Sequence, residues 1–297
     1  MRKVILFILI VFITVSCNTD YKNKDSDNKI ITVSVLPQKY FVERIVGDHF
    51  DINVMIPPGA SPVTYEPTPK QMKELSVSDV YIRIGHIEFE KSWMKKLQSI
   101  NPEMKIIDQS SVANLISEEH KHESHDHGHH HHGVDPHIWT SPKEVETQVG
   151  FIYNYFIKTY PEFKDEFTNN YEELLNEVTN LSMSLDSMLK PFEGRKFLIF
   201  HPALSYFARD YGLEQISIEI DGKEPTPANI QKIIEIAKEE KIKVVFVQKQ
   251  FSTHNAQVIA NEINGRVSQI DPLAYNWFEN IKMIAEEIEK SYSKQDE

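Results

Sequence analysis

Short apolar runs rich in β-branched residues alternate along this chain with segments whose apolar positions recur every three or four residues. The runs are near-continuous rather than alternating, the pattern of strands covered on both faces in a parallel sheet. They fall at Ile30 to Leu36, Asp51 to Ile56, Val80 to Ile84 and Met104 to Ile107 in the first half. In the second half they fall at Phe197 to Phe200, Ile216 to Ile220, Val244 to Val247 and Arg266 to Ile270. Helical patterns lie between them, for example Ile230 to Glu240 after Pro227, and Ala256 to Ile263. Strands alternating with helices predict an α/β fold of two lobes, each with a four-stranded, mainly parallel sheet.

One long helical pattern separates the two sets. From Pro161 to Leu189, Leu174, Val178, Leu181, Leu185 and Met188 step by three and four residues. Glu162, Asp165, Glu166, Glu172 and Glu173 crowd its first half and Lys190 follows its end, the charge order a helix dipole favours. A helix of this length runs roughly 40 Å. Pro191 and Gly194 then stop it, so residues 161–192 are read as a rigid linking helix between an N-terminal lobe, 30–160, and a C-terminal lobe, 193–297. A rod of this kind predicts a cleft between lobes that changes little on binding.

The first residues follow a different logic. Met1, Arg2 and Lys3 precede an apolar run from Val4 to Val15 and then Ser16-Cys17. A basic start, a short apolar stretch and a small residue before the cut describe a signal peptide over 1–16. The run is shorter than the roughly 20 residues a membrane-spanning helix requires. Cys17, the only cysteine, occupies the lipidation position of a lipobox-like sequence in which Thr14 replaces the commoner leucine. Residues 17–29 have almost no apolar content and read as the lipidated N-terminus and a solvated tether. The expected location is therefore extracytoplasmic, with a lipid anchor on the bacterial cell envelope, on its periplasmic side or the cell surface. The chain is read as a monomer. Its formal net charge of −12, which loss of Arg2 and Lys3 makes more negative, argues against nucleic acid and suits a cationic ligand.

That ligand is suggested by histidine. Of 13 histidines, those at His120, His122, His125, His127, His129, His130, His131 and His132 form the tract HKHESHDHGHHHH. Unperturbed imidazole titrates near pH ~6.5, so at neutral pH most of these rings are uncharged and offer a lone pair to a borderline metal such as Zn²⁺. A flexible tract lacks fixed geometry, so 120–132 is expected to be a low-affinity metal-collecting loop.

Ligand-type residues also recur on four loops: PPGASPVTYEPTP at Pro57 to Pro69, DPHIWTSP at Asp135 to Pro142, HPALSYFARDYGL from His201, and Asp271-Pro272-Leu273. His201 and Asp271 directly follow predicted strands, and ligands of open α/β sheets bind beyond the carboxyl ends of strands. With Gly47-Asp48 and the EPTP run at Glu224 to Pro227, these segments resemble the ZnuA-like or TroA-like solute-binding proteins of zinc and manganese ABC importers, over nearly the whole mature chain. The resemblance implies a metal cleft between the lobes with His137, His201 and Asp271 as ligands, and an ABC transporter permease as partner. Histidine at position 201, beside a His-rich loop, leans toward Zn²⁺, with Mn²⁺ the alternative, because nitrogen donors suit zinc and oxygen donors suit manganese. One departure matters: where the family places its first histidine after Ser-Pro, this chain has Val63. His86, directly after the strand Val80 to Ile84 and Gly85, is the candidate fourth ligand; a water and Glu66 are the alternatives. Glu219 and Glu224 are candidates to support ligands from behind.

The implied function is capture of Zn²⁺ and its delivery to an ABC importer, not catalysis. Two other functional classes share some of these features. A surface zinc-buffer or adhesin-type protein would show the same composition. A zinc hydrolase could use two histidines, a carboxylate and an open position, but neither HExxH nor GxSxG occurs in the sequence.

Overall fold

The computed structural model describes residues 29–117, 133–219 and 223–293. Cys17, the signal peptide expected over 1–16 and the histidines of the 120–132 tract lie outside the described residues. The N-terminal half runs β1 (Lys29–Val33), α1 (Leu36–Val46), β2 (Phe50–Val54), α2 (Pro69–Leu75), β3 (Val80–Arg83), α3 (Glu88–Ile100) and β4 (Lys105–Asp108). Two long helices follow, α4 (Pro142–Thr159) and α5 (Lys164–Leu189). The C-terminal half runs β5 (Lys196–Ile199), α6 (Ser205–Asp210), β6 (Glu214–Ser217), α7 (Pro227–Glu239), β7 (Val244–Gln248), α8 (His254–Glu262), β8 (Arg266–Ile270) and α9 (Trp277–Ser293).

The strands form two four-stranded sheets of the same design, ordered β2-β1-β3-β4 and β6-β5-β7-β8. Every pairing is parallel. Each predicted strand is present, with ends shifted by three residues at most. Leu36 begins α1, because Pro37 at the second helical position favours a helix start. β6 starts earlier than its apolar core suggests, because Glu214 N bonds Arg195 O. The EPTP sequence serves both halves alike: Thr68 and Thr226 each accept from the backbone N–H three residues on, with Pro69 and Pro227 next in line, and so start α2 and α7.

Helix α5 is the rod the sequence predicts: 26 residues, flanked by single 3₁₀ turns at Pro161–Phe163 and Lys190–Phe192. Phe167, Leu174, Val178, Leu181, Leu185 and Leu189 are buried along one stripe, against α1, α4 and α9. Burying each such side chain stabilises the fold by about 1.5–3 kcal/mol. One continuous apolar core includes residues of both sheets and of α5. A separate smaller core lies in the second lobe under α7 and α8. Among the described residues, no helix is long and apolar enough to cross a membrane.

The lobes meet where their signature loops interlock. Trp139, from Asp-Pro-His-Ile-Trp, donates its indole N–H to Pro272 O at 2.9 Å, and Trp277 donates to Trp139 O at 2.7 Å. Both rings are fully enclosed, and Phe41 of α1 packs edge-on against Trp277 at 5.0 Å. The loop carrying His137 is thereby pinned to the loop carrying Asp271. Trp277 thus belongs to the lobe junction, and Tyr275 donates to Glu43 at 2.7 Å.

Candidate metal centre

His137 enters the site on a short turn. Asp135 Oδ1 accepts from His137 N at 2.9 Å, a local loop that aspartate forms readily, and also from the ring Nδ1 at 2.8 Å. Asp135 is buried and is held from behind by Ser205. Burial works to raise its pKa, but the His137 charge and the hydrogen bonds from His137 and Ser205 outweigh it, so the carboxyl lies below its usual range.

His201 follows β5 and is fixed by its neighbours in the sheet. Gln248, the last residue of β7, clamps its backbone from both sides: His201 N donates to Oε1, and Nε2 donates to His201 O. Pairing of β6 with β5 carries Glu219 N to Phe200 O, and Glu219 Oε1 then lies 2.7 Å from His201 Nδ1. Phe251 stacks on the imidazole at 5.1 Å.

Both Nδ1 atoms thus face buried carboxylates, which fixes the proton there and turns each Nε2 lone pair inward. The two Nε2 atoms are 3.2 Å apart. With both protons on Nδ1, this separation lets the two Nε2 lone pairs share one cation. With Zn–N of about 2.0–2.1 Å, this separation corresponds to an N–Zn–N angle of roughly 100°, close to tetrahedral. The pair opens onto a cavity of about 790 Å³ lined by residues of both lobes.

His86 lines the same cavity, from the N-terminal lobe, as does Val63. Its turn is narrowly specified. Gly85 has φ +117°, and a Cβ there would lie 2.4 Å from Ser110 Oγ. Glu90 accepts from Ile84 N at 2.8 Å and Gly85 N at 2.7 Å, and also from Ser34 Oγ. Burial lowers the His86 pKa, with Lys91 and Arg83 adding to the effect and Asp108 opposing it, so the ring favours the neutral form that binds metal. A buried glutamine chain ties this edge to the histidine loop: Gln38 donates to Ile82 O and to Gln109, Gln109 to Gln148, and Gln148 to Ile138 O.

Asp271 sits at the end of β8 as expected, but its oxygens are engaged elsewhere. Oδ1 accepts from Gln250 Nε2 and Leu273 N, each at 3.2 Å, and Oδ2 lies 3.5 Å from Lys249 Nζ. The structure therefore brings His137 and His201 together, sets His86 on the same cavity, and keeps Asp271 paired with neighbours. Among the described residues, no group of three His, Cys, Asp or Glu side chains is arranged to hold an ion. Glu66 is exposed. Glu224 accepts from Asn255 Nδ2 at the start of α8, so of the two candidate supporting glutamates only Glu219 reaches a site histidine. Sequence reading missed Asp135 and the triplet Gln248-Lys249-Gln250. Asp135 is signalled only by its position two residues before His137, and the triplet only by following a strand.

Residues 31–291 match the family described as zinc-uptake complex component A, periplasmic, ZnuA. The chain belongs to this family. It is 27% identical to the high-affinity zinc uptake system protein ZnuA of Bacillus subtilis over 274 residues, covering 90% of this chain and 85% of that one. A crystal structure of ZnuA superposes with a TM-score of 0.82 at 38% identity, covering 89% of this chain and 99% of that one. A zinc-bound deletion mutant of ZnuA superposes with a TM-score of 0.80 at 38% identity, covering 89% of this chain and 98% of the other. The two-lobed α/β architecture of the family is thus the architecture of this chain.

Proposed function

We propose that this protein captures Zn²⁺ outside the cytoplasm and delivers it to an ABC transporter permease. The observation that carries the reading is the His137–His201 pair, two inward lone pairs 3.2 Å apart with a buried carboxylate behind each ring. Family membership supports the same cargo, because the matched family is one of zinc uptake. Asp271 and His86 are the further donors in this reading. Imidazole-rich coordination favours Zn²⁺ over Mn²⁺. Cys17 is the lipid anchor and the residues between it and β1, which begins at Lys29, are the tether, so the monomer works beside the membrane without entering it. The 120–132 loop collects ions weakly near the cleft, and no reaction is catalysed. Asp135 and Glu219, buried carboxylates of the site, are committed to orienting imidazoles rather than to accepting a proton from a substrate.

The test is a zinc titration of the purified protein and of the variant carrying both His137→Ala and His201→Ala. The wild type is expected to bind one Zn²⁺ tightly, with several weaker equivalents from the loop. The double variant should keep only the weak class. Retention of the tight site by the double variant would refute the reading.

A further inference from the structure

The strand end that clamps His201 also reaches Asp271. In the β7–β8 pairing Gln248 lies opposite Ile270, so the next residue on each strand, Lys249 and Asp271, are brought side by side. Lys249 N donates to Ile270 O at 3.1 Å, which extends the ladder and fixes the lysine backbone there. The two carboxylate oxygens of Asp271 then meet different partners. Oδ1 takes two neutral donors, the Gln250 amide and the Leu273 backbone N–H, both at 3.2 Å. Oδ2 faces the Lys249 ammonium at 3.5 Å.

This division matters for a residue expected to ligate a cation. Neutral amide donors on Oδ1 can stay in place when the other oxygen binds metal, and they would orient the carboxylate as they do. A lysine on Oδ2 works against the metal, because its ammonium sits 3.5 Å from that oxygen and repels a dication. Lysine is a single charge on a flexible stem, and the Lys249 side chain is 57% exposed, so it can swing into water and return.

We propose that Lys249 is a built-in counter-ion for Asp271, holding Oδ2 in the zinc-free protein and being displaced when Zn²⁺ arrives. The inference rests on the zinc-capture reading above and adds a residue that sets affinity. Zinc binding must break the Lys249–Asp271 pair, so the site binds less tightly than its donors alone would allow. On release, the lysine recaptures the carboxylate and an uncompensated anion is avoided. Gln248 and Lys249, adjacent residues of one strand end, thus serve the two ligands differently: one locks His201, the other guards Asp271.

The test measures Zn²⁺ affinity of the full chain by competition with a fluorescent zinc chelator. Exposed ion pairs change equilibria by only a few fold, and relief of repulsion adds to this, so Lys249→Met should bind zinc about three to ten times more tightly than wild type. Lys249→Gln should do the same, and Lys249→Arg, which keeps the charge, should stay within about twofold of wild type. In a background of Asp271→Asn the Lys249→Met gain should fall to about twofold or less, the part left by relief of repulsion alone, because the rest requires both residues. Equal or weaker zinc binding by both neutral variants, or a gain of undiminished size with Asn at 271, would overturn the counter-ion role while leaving zinc capture intact. A wild type without a tight site would instead contradict the proposed function, and this inference with it.

Discussion

A neutral imidazole can ligate a metal only through the nitrogen that carries no proton, so the group on the opposite nitrogen decides which way the ring can act. Asp135 and Glu219 hold that position here, at 2.8 Å and 2.7 Å from the two Nδ1 atoms. Replacing such partners typically costs 10–100-fold in metal affinity. Asp135→Asn and Glu219→Gln are each expected to weaken the tight zinc site by about that factor in a competition titration, without changing its stoichiometry of one; unchanged affinity in both would remove the orienting role. His86→Ala should weaken the same site at least about tenfold, the loss of one imidazole donor, and an unaltered affinity would strike His86 from the ligand set. His137 and His201 stood out as candidates in the sequence because each belongs to a distinctive segment, the first to DPHIWTSP and the second to HPALSYFARDYGL. Glu219 was suggested but not decided, since only the β5–β6 register places it against His201. The engagement of Asp271 by Lys249 and Gln250 was not legible, because it depends on the side chains two adjacent strand ends present to each other.

At the level of elements, the turn after β3 shows how a buried charge shapes the rim of the cleft. Burial pushes the Glu90 carboxyl up to about 7, against the lowering effect of hydrogen bonds from Ser34, Gly85 and Ile84 and of the Arg83 charge. Between the ordinary carboxylate range and that value, the folded protein holds a proton that the unfolded chain has lost. Stability should therefore be greatest below about pH 4.5 for this group, decline as pH rises toward 7, and level off above it. The full span amounts to about 3 kcal/mol. Chemical denaturation across this range should show the difference between wild type and Glu90→Gln falling with rising pH; a difference that is flat with pH would contradict the assignment. The elements themselves were well announced, since near-continuous apolar runs and three-four spacing survive most tertiary contexts. The polar network under the Gly85 turn was not, because Ser34, Tyr81 and Glu90 are 47 and 56 residues apart along the hydrogen bonds that join them.

The whole molecule behaves as two similar α/β halves held by a common core, the α5 rod and the indole hydrogen bonds from Trp139 to Pro272 O and from Trp277 to Trp139 O. That sharing predicts coupled unfolding, with the lobes melting in one calorimetric transition that zinc moves upward; two transitions with only one responding to zinc would show the lobes to be independent. The two sheets and the rod followed from the sequence pattern. The mutual placement of the lobes did not, since it rests on Trp139, Trp277 and Pro272 meeting across the chain. The central claim is that zinc sits between the Nε2 atoms of His137 and His201. The most direct measurement is a crystal structure of the zinc-loaded protein with anomalous diffraction recorded across the zinc edge. The account predicts one strong peak about 2.0–2.1 Å from both Nε2 atoms, with Asp135 and Glu219 still on the Nδ1 side. A peak bound through either Nδ1, or a tight zinc remote from this pair, would contradict it.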